Sequence, residues 1–128
     1  MATILVVDDN QDMSEVLSEV LREEGYNVNV AYDGLSALNA IKDTSYDFMI
    51  LDYRLSDMDG LTVLEAASRL VPSLATIMIS AYGNEAIKSK ARELGALDFF
   101  DKPFDVNVLV KSVRKALGRR PQAAEKSA

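Results

Sequence analysis

Ile4-Leu5-Val6-Val7-Asp8-Asp9 sets four consecutive apolar residues before two adjacent acids. So short an apolar run reads as a strand buried on both faces. The period then changes. Met13, Val16, Leu17, Val20 and Leu21 recur at helical spacing, and Gly25 follows as a C-cap. The same exchange repeats down the chain. Val28, Val30 and Tyr32 alternate with Asn27, Asn29 and Ala31, as on a half-exposed strand, and Leu35, Leu38 and Ile41 mark a second helix. Phe48-Met49-Ile50-Leu51 is a second apolar run ending at Asp52; Leu61, Leu64, Ala67 and Val71 then give a helix that stops before Pro72. A third run covers residues 75–79, and Ile87, Ala91 and Leu94 form a helical stripe closed by Gly95. Leu97, Phe99 and Phe100 make a short fifth strand; Val106, Leu109, Val110, Val113 and Leu117 give the last helix, ended by Gly118.

Five strands alternating with five helices predict an α/β fold, a doubly wound parallel sheet. Strands one, three and four are apolar on both faces and belong inside it. Strand two alternates and strand five is short, so both suit the edges. Right-handed crossovers then favour the order 2-1-3-4-5, with the switch point between strands one and three. The expected organisation is one domain over residues 1–118 and a disordered tail over 119–128.

Composition narrows the chemistry. The 128 residues carry 20 Asp+Glu against 14 Lys+Arg, a net charge of −6, and 12 of those acids are Asp. Zero Cys removes disulfides, thiol catalysis and cysteine-based metal sites; zero His removes histidine bases, histidine ligands and any phosphohistidine on this chain. No apolar run approaches the ~20 residues of a membrane span. Met1-Ala2-Thr3 leads straight into the first strand, so neither a signal peptide nor a membrane partner is expected, and the expected location is the cytoplasm. The negative balance argues against direct binding of nucleic acid.

Ligands of an open parallel sheet bind beyond the carboxyl ends of its strands, near the switch point. Strand one ends at Asp8-Asp9, strand three at Asp52 and strand four at Ser80, and Lys102-Pro103 follows strand five. Each alone is ordinary: a helix cap, a loop acid, a turn residue. Together they converge on one crevice. Three carboxylates in one place repel unless a cation is present, and oxygen donors without His or Cys suit Mg²⁺ or Mn²⁺. The sum of three carboxylates, a divalent cation and the Lys102 ammonium is zero. Asp57-Met58-Asp59 before Gly60 reads as a turn and helix cap.

The segments ILVVDDN (residues 4–10), MILDYRLSDMDG (49–60), ISAYG (79–83) and GALDFFDKPF (95–104) resemble the receiver domain of two-component response regulators. The resemblance runs from about residue 3 to residue 117 and implies the flavodoxin-like fold. By position it implies Asp52 as phosphoacceptor, Asp9 as direct Mg²⁺ ligand, Asp8 as the acid holding metal-bound water, and the Arg54 backbone carbonyl as third protein ligand. It further implies that Ser80 binds a phosphoryl oxygen, that Lys102 pairs with the phosphoryl group, and that Phe99 is the aromatic switch. A cis peptide at Lys102-Pro103 is usual in the family.

The implied donor is a phosphohistidine on a sensor histidine kinase or histidine phosphotransfer protein. The implied output is a shift of the face made by helix four, strand five and helix five, whose helices carry Lys88, Lys90, Arg92, Lys111 and Arg114. Such a chain is a phosphoacceptor in signalling that assists its own phosphorylation and dephosphorylation, rather than an enzyme.

Two departures stand out. Ser56 replaces a frequent proline, which loosens the loop after Asp52, and Phe99 lacks the hydroxyl of a common tyrosine, leaving a steric switch. Arg54 and Tyr82, two residues beyond Asp52 and Ser80, flank the expected water approach and are expected to slow acyl-phosphate hydrolysis. The leading expectation is a stand-alone regulator or phosphorelay intermediate. The competing ones are the N-terminal receiver of a larger transcriptional regulator and a Mg²⁺-dependent phosphatase. The last of these lacks an Asp-x-Asp motif at the first strand, where Asp8-Asp9-Asn10 stands.

Overall fold

Ten elements alternate without interruption: β1 (Thr3–Val7), α1 (Gln11–Glu23), β2 (Asn27–Ala31), α2 (Gly34–Asp43), β3 (Phe48–Asp52), α3 (Gly60–Leu70), β4 (Ala75–Ser80), α4 (Glu85–Glu93), β5 (Asp98–Asp101) and α5 (Val106–Leu117). The structure is a computed structural model and describes residues 2–118. The tail expectation for 119–128 therefore lies outside the described residues. All strand pairs are parallel, in the order β2-β1-β3-β4-β5. No helix among the described residues is long and apolar enough to cross a membrane.

Every residue of β3 is buried because helices cover both faces of the sheet. Leu5, Val7, Met49, Leu51 and Met78 pack with Ala37, Ile41, Val63, Leu64, Ala67 and Ala91 of α2, α3 and α4. On the other face Ile4, Val6, Phe48, Ile50, Ile77 and Ile79 pack with Leu17 and Leu21 of α1 and Leu109, Val110 and Val113 of α5. Each helix begins with an Asn or Asp whose carbonyl or carboxylate oxygen accepts a backbone N–H of the first turn: Asn10, Asp33, Asp59, Asn84 and Asp105. Three of the twelve Asp residues serve as these caps.

The buried helix faces differ in places from the apolar stripes. Val16 is 46% exposed, while α1 buries Ser14, Leu17, Ser18 and Leu21. Serines are small enough to let the helix lie close to the sheet, and the Ser14 hydroxyl donates to Asp8 O at 3.0 Å. On α2, Gly34 and Ala37 face inward and Leu35 is exposed. Leu97 precedes β5 and Tyr32 follows β2, so neither extends its strand's pattern, and both are exposed.

Gly60 shows how tightly β3 meets α3. A Cβ there would lie 2.6 Å from the Asp52 carbonyl oxygen, 2.7 Å from Met78 Cε and 2.8 Å from Tyr53 Cα. Two of these neighbours are backbone and cannot swing away. Overpacking of this kind costs about 1–3 kcal/mol, against a helix-propensity gain of ~1 kcal/mol that is smaller still at a helix end. Gly60→Ala is therefore expected to lower stability by about 1–2 kcal/mol, read as a lower urea midpoint with unchanged slope.

Candidate functional site

The register brings the acids together. Val7 pairs with Leu51, so Asp8 and Asp52 follow on neighbouring strands at the same end of the sheet. Asp52 in turn pairs with Ile79, which places Ser80 one step further along β4. Ser80 pairs with Asp101, and the Lys102 N–H donates to Ser80 O at 2.8 Å. Five of the expected residues thus reach one crevice: Asp8, Asp9, Asp52, Ser80 and Lys102.

Burial makes this crevice unusual. Asp8 is 0% and Asp52 4% exposed, positions that a lone carboxylate rarely occupies. Lys102 Nζ lies 3.1 Å from Asp8 Oδ2 and 3.1 Å from Asp52 Oδ2, bridging the two. Asp8 Oδ1 also accepts the Asn10 N–H at 2.9 Å. Asp9 is exposed at the rim, yet Asp8, Asp9 and Asp52 each offer an oxygen within 4.8 Å of the others. Two negative charges thus stand beyond the one that Lys102 balances. Three oxygen donors at this spacing, with no nitrogen or sulfur ligand, fit a small hard cation such as Mg²⁺.

Burial, and next the charge of Asp8, push the Asp52 carboxyl up to about 6, although Lys102 draws it down. Desolvation works to lower the Lys102 ammonium, but attraction to Asp52 and Asp8 outweighs it, and its value is raised.

The remaining expected residues surround the crevice. The Arg54 N–H donates to Asp52 Oδ1 at a long 3.4 Å, and its guanidinium sits 4.7 Å from the Tyr82 ring centroid. The Tyr82 N–H donates to Ser80 Oγ at 2.9 Å. Phe99 stands apart from the carboxylates, on the α4 side of the sheet. Its ring lies beside Gly83 and 5.7 Å from Lys88 Nζ. The Lys102-Pro103 peptide is cis.

Three contacts leave no local signature in the sequence. Lys88 Nζ pairs with Asp101 Oδ2 at 2.8 Å beside Phe99. Arg114 pairs with Glu24 at the end of α1, so its charge is engaged there rather than presented beside α4. Asp57 caps α2 through its side chain, while Asp59 caps α3. The acid-rich turn was visible in sequence, but its partner helix was not.

A groove of about 760 Å³ runs along α1 and the β2 edge between Glu15, Arg22 and Tyr32, away from the carboxylates.

Buried acids and a bridging ammonium beyond the carboxyl ends of parallel strands lie where doubly wound α/β proteins bind their ligands. The family model of the response regulator receiver domain matches residues 4–114, and the chain belongs to this family of two-component signalling. It is 35% identical to sporulation initiation phosphotransferase F of Bacillus subtilis over 114 residues, 89% of this chain and 92% of that protein. It is 35% identical to the transcriptional regulatory protein ZraR of Salmonella typhimurium over 89% of this chain, but spans only 26% of that protein's length. The response regulator TrrA of Thermotoga maritima, solved in complex with Mg²⁺-BeF, superposes with a TM-score of 0.83 at 32% identity, covering 91% of this chain and 100% of that one.

The Asp52 shift carries a linkage prediction. With its folded value near 6 and its ordinary value 3.8, the native state binds more protons than the unfolded chain between those limits. Stability therefore falls as pH rises through that window, by up to about 3 kcal/mol above pH 6. Asp52→Asn is expected to raise the melting temperature of the metal-free chain at pH 7.5 and to leave it nearly unchanged at pH 3.5. Thermal scans at the two pH values check this.

Proposed function

We propose that this receiver takes a phosphoryl group onto Asp52 from a phosphohistidine donor, on a sensor histidine kinase or a histidine phosphotransfer protein. One observation carries the reading: Lys102 bridges Asp8 and Asp52 at 3.1 Å each, with Asp9 completing a cluster of oxygens within 4.8 Å. An Asp52 carboxylate oxygen attacks the phosphorus in line; the new O–P bond forms as the N–P bond breaks, and the imidazole leaves. Mg²⁺, held by Asp8, Asp9, Asp52 and the Arg54 carbonyl, would supply positive charge to offset that of the phosphoryl oxygens. The acceptor must be ionised to attack, so its tendency to hold a proton near pH 6 opposes reaction in acid. Lys102 can pair with a phosphoryl oxygen, and the Ser80 hydroxyl can donate to another.

The output follows from the position of Ser80. Its hydroxyl accepts from Tyr82 N–H, at the start of the loop that leads to Gly83 and α4. Turning that hydroxyl toward a phosphoryl group would move the loop, and the Phe99 ring beside Gly83 would turn inward. The face made by α4, β5 and α5 would change with it, and a downstream protein would read that face. Lys88, Lys90, Arg92 and Lys111 supply its positive charges.

Relatives of both lengths leave two outputs: a single-domain regulator or relay intermediate, and the receiver of a larger transcriptional regulator. The first is the reading proposed here, and the native gene decides it by whether coding sequence continues past Ala128.

Incubation with acetyl phosphate and Mg²⁺ is expected to add one phosphoryl group per chain by mass spectrometry, and none in Asp52→Ala. Catalytic turnover of a phosphomonoester without labelling would favour a phosphatase. The stacked Arg54 and Tyr82 are proposed to hinder the approach of water. Opening such an exposed pair costs roughly 0.5–1 kcal/mol, so Arg54→Ala and Tyr82→Ala are expected to release phosphate about two- to fivefold faster. An unchanged or slower release would sink that role.

A further inference from the structure

Ser56 leaves the loop between β3 and α3 without a residue that restricts φ at its tip. Backbone bonds hold the base of the loop at Tyr53 and Gly60. The Tyr53 N–H donates to Ile79 O at 2.9 Å, the Gly60 N–H donates to Tyr53 O at 2.6 Å, and Arg54 and Asp59 form an antiparallel bridge. Residues 55–58 lie beyond that bridge.

The tip is held from outside. Asp57 reaches α2, 23 residues away in sequence, where Oδ1 accepts the Gly34 N–H at 2.8 Å and Oδ2 the Leu35 N–H at 2.9 Å. The other donors of that first turn use Asp33: the Ser36 N–H bonds its Oδ1 at 2.7 Å, and the Ala37 N–H its carbonyl at 3.1 Å. Two carboxylates therefore divide the helix end, and one of them belongs to the loop beside Asp52. The hydrogen bonds from Gly34 and Leu35 hold the Asp57 carboxyl below its ordinary range. Met58 completes the contact. A Cβ at Gly34 would stand 2.4 Å from Met58 Cγ and 2.6 Å from its Sδ, so the glycine leaves the space that the Met58 side chain fills.

We propose that Asp57 is a positioning residue: by clamping the loop tip to the first turn of α2, it fixes the backbone that carries the Arg54 carbonyl before Mg²⁺ binds. This rests on the reading that the Arg54 carbonyl is a metal ligand. A loop that must order on binding loses affinity to conformational entropy, and a loop ordered beforehand does not. The clamp supplies from a neighbouring helix what a proline at residue 56 would supply from within.

The test separates this role from simple capping of α2. Mg²⁺ affinity is measured by NMR titration, and amide exchange at Arg54 and Met58 is followed in the metal-free chain. The variants are Asp57→Ala, Asp33→Ala and the double variant Ser56→Pro/Asp57→Ala. Asp57→Ala is expected to weaken Mg²⁺ binding about tenfold, the order expected for freeing one residue's backbone, and to speed exchange at both amides. Asp33→Ala removes a cap from the same helix and should leave the Mg²⁺ affinity within about twofold of the parent. Ser56→Pro should restore most of the affinity lost in Asp57→Ala. Asp57→Asn, which keeps one acceptor oxygen, should show a smaller loss and serves if alanine prevents folding. Parent affinity in Asp57→Ala and Asp57→Asn, equal losses in Asp33→Ala, or no rescue by proline overturns the clamp. A parent chain that binds no Mg²⁺ overturns the underlying metal reading instead.

Discussion

The ammonium of Lys102 between Asp8 and Asp52 is the interaction on which the rest of the site depends. Both carboxylates are nearly inaccessible to water, and two buried like charges cannot both stay ionised without a counter-charge. The lysine is 94 residues from one partner and 50 from the other. Its arrival therefore requires the sheet to be assembled out to β5. Neutralisation is partial by construction: one ammonium meets a cluster of three acids, and what is left over is negative charge that a divalent cation would offset. The raised Asp52 carboxyl expresses the same imbalance in protons. A carboxyl that keeps its proton to higher pH than usual leaves oxygens for which a cation would compete.

Around this centre the loops do the positioning. Asn and Asp side chains start every helix, and at α2 the task is shared between Asp33 and Asp57. The acids that looked like one excess in composition are thus of different kinds. Asp8, Asp9 and Asp52 make the pocket, Asp33, Asp59 and Asp105 cap their own helices, and Asp57 and Asp101 link elements to one another.

Strand positions and their order were legible because burial on two faces, on one face, or over a short length leaves distinct patterns in β1, β2 and β5. Asp8, Asp9, Asp52, Ser80 and Lys102 were legible for a related reason: parallel strands all end on the same side, so a residue just after a strand has a known address. Helix faces were less so. The Val16 and Leu35 assignments failed because close approach to the sheet selects small residues such as Ser14, Ser18, Gly34 and Ala37, which hydropathy does not flag. The Lys88–Asp101 and Arg114–Glu24 pairs were invisible because side chains 13 and 90 residues apart meet only once helices are docked.

By itself the amino-acid sequence determined the parallel sheet, its order and the set of acids at the switch point, since these follow from periodicity and from the single direction of the strands. It also determined that this chain supplies no histidine or cysteine to the site. Only the tertiary structure decided how the charges are shared: that Lys102 bridges two acids at equal distance, that Arg54 stacks on Tyr82, and that Asp57 joins its loop to the first turn of α2. Local pattern records which face a residue turns to water. It does not record which partner a charged side chain meets, because hydrogen bonds and ion pairs depend on distances set by the packing of the whole chain.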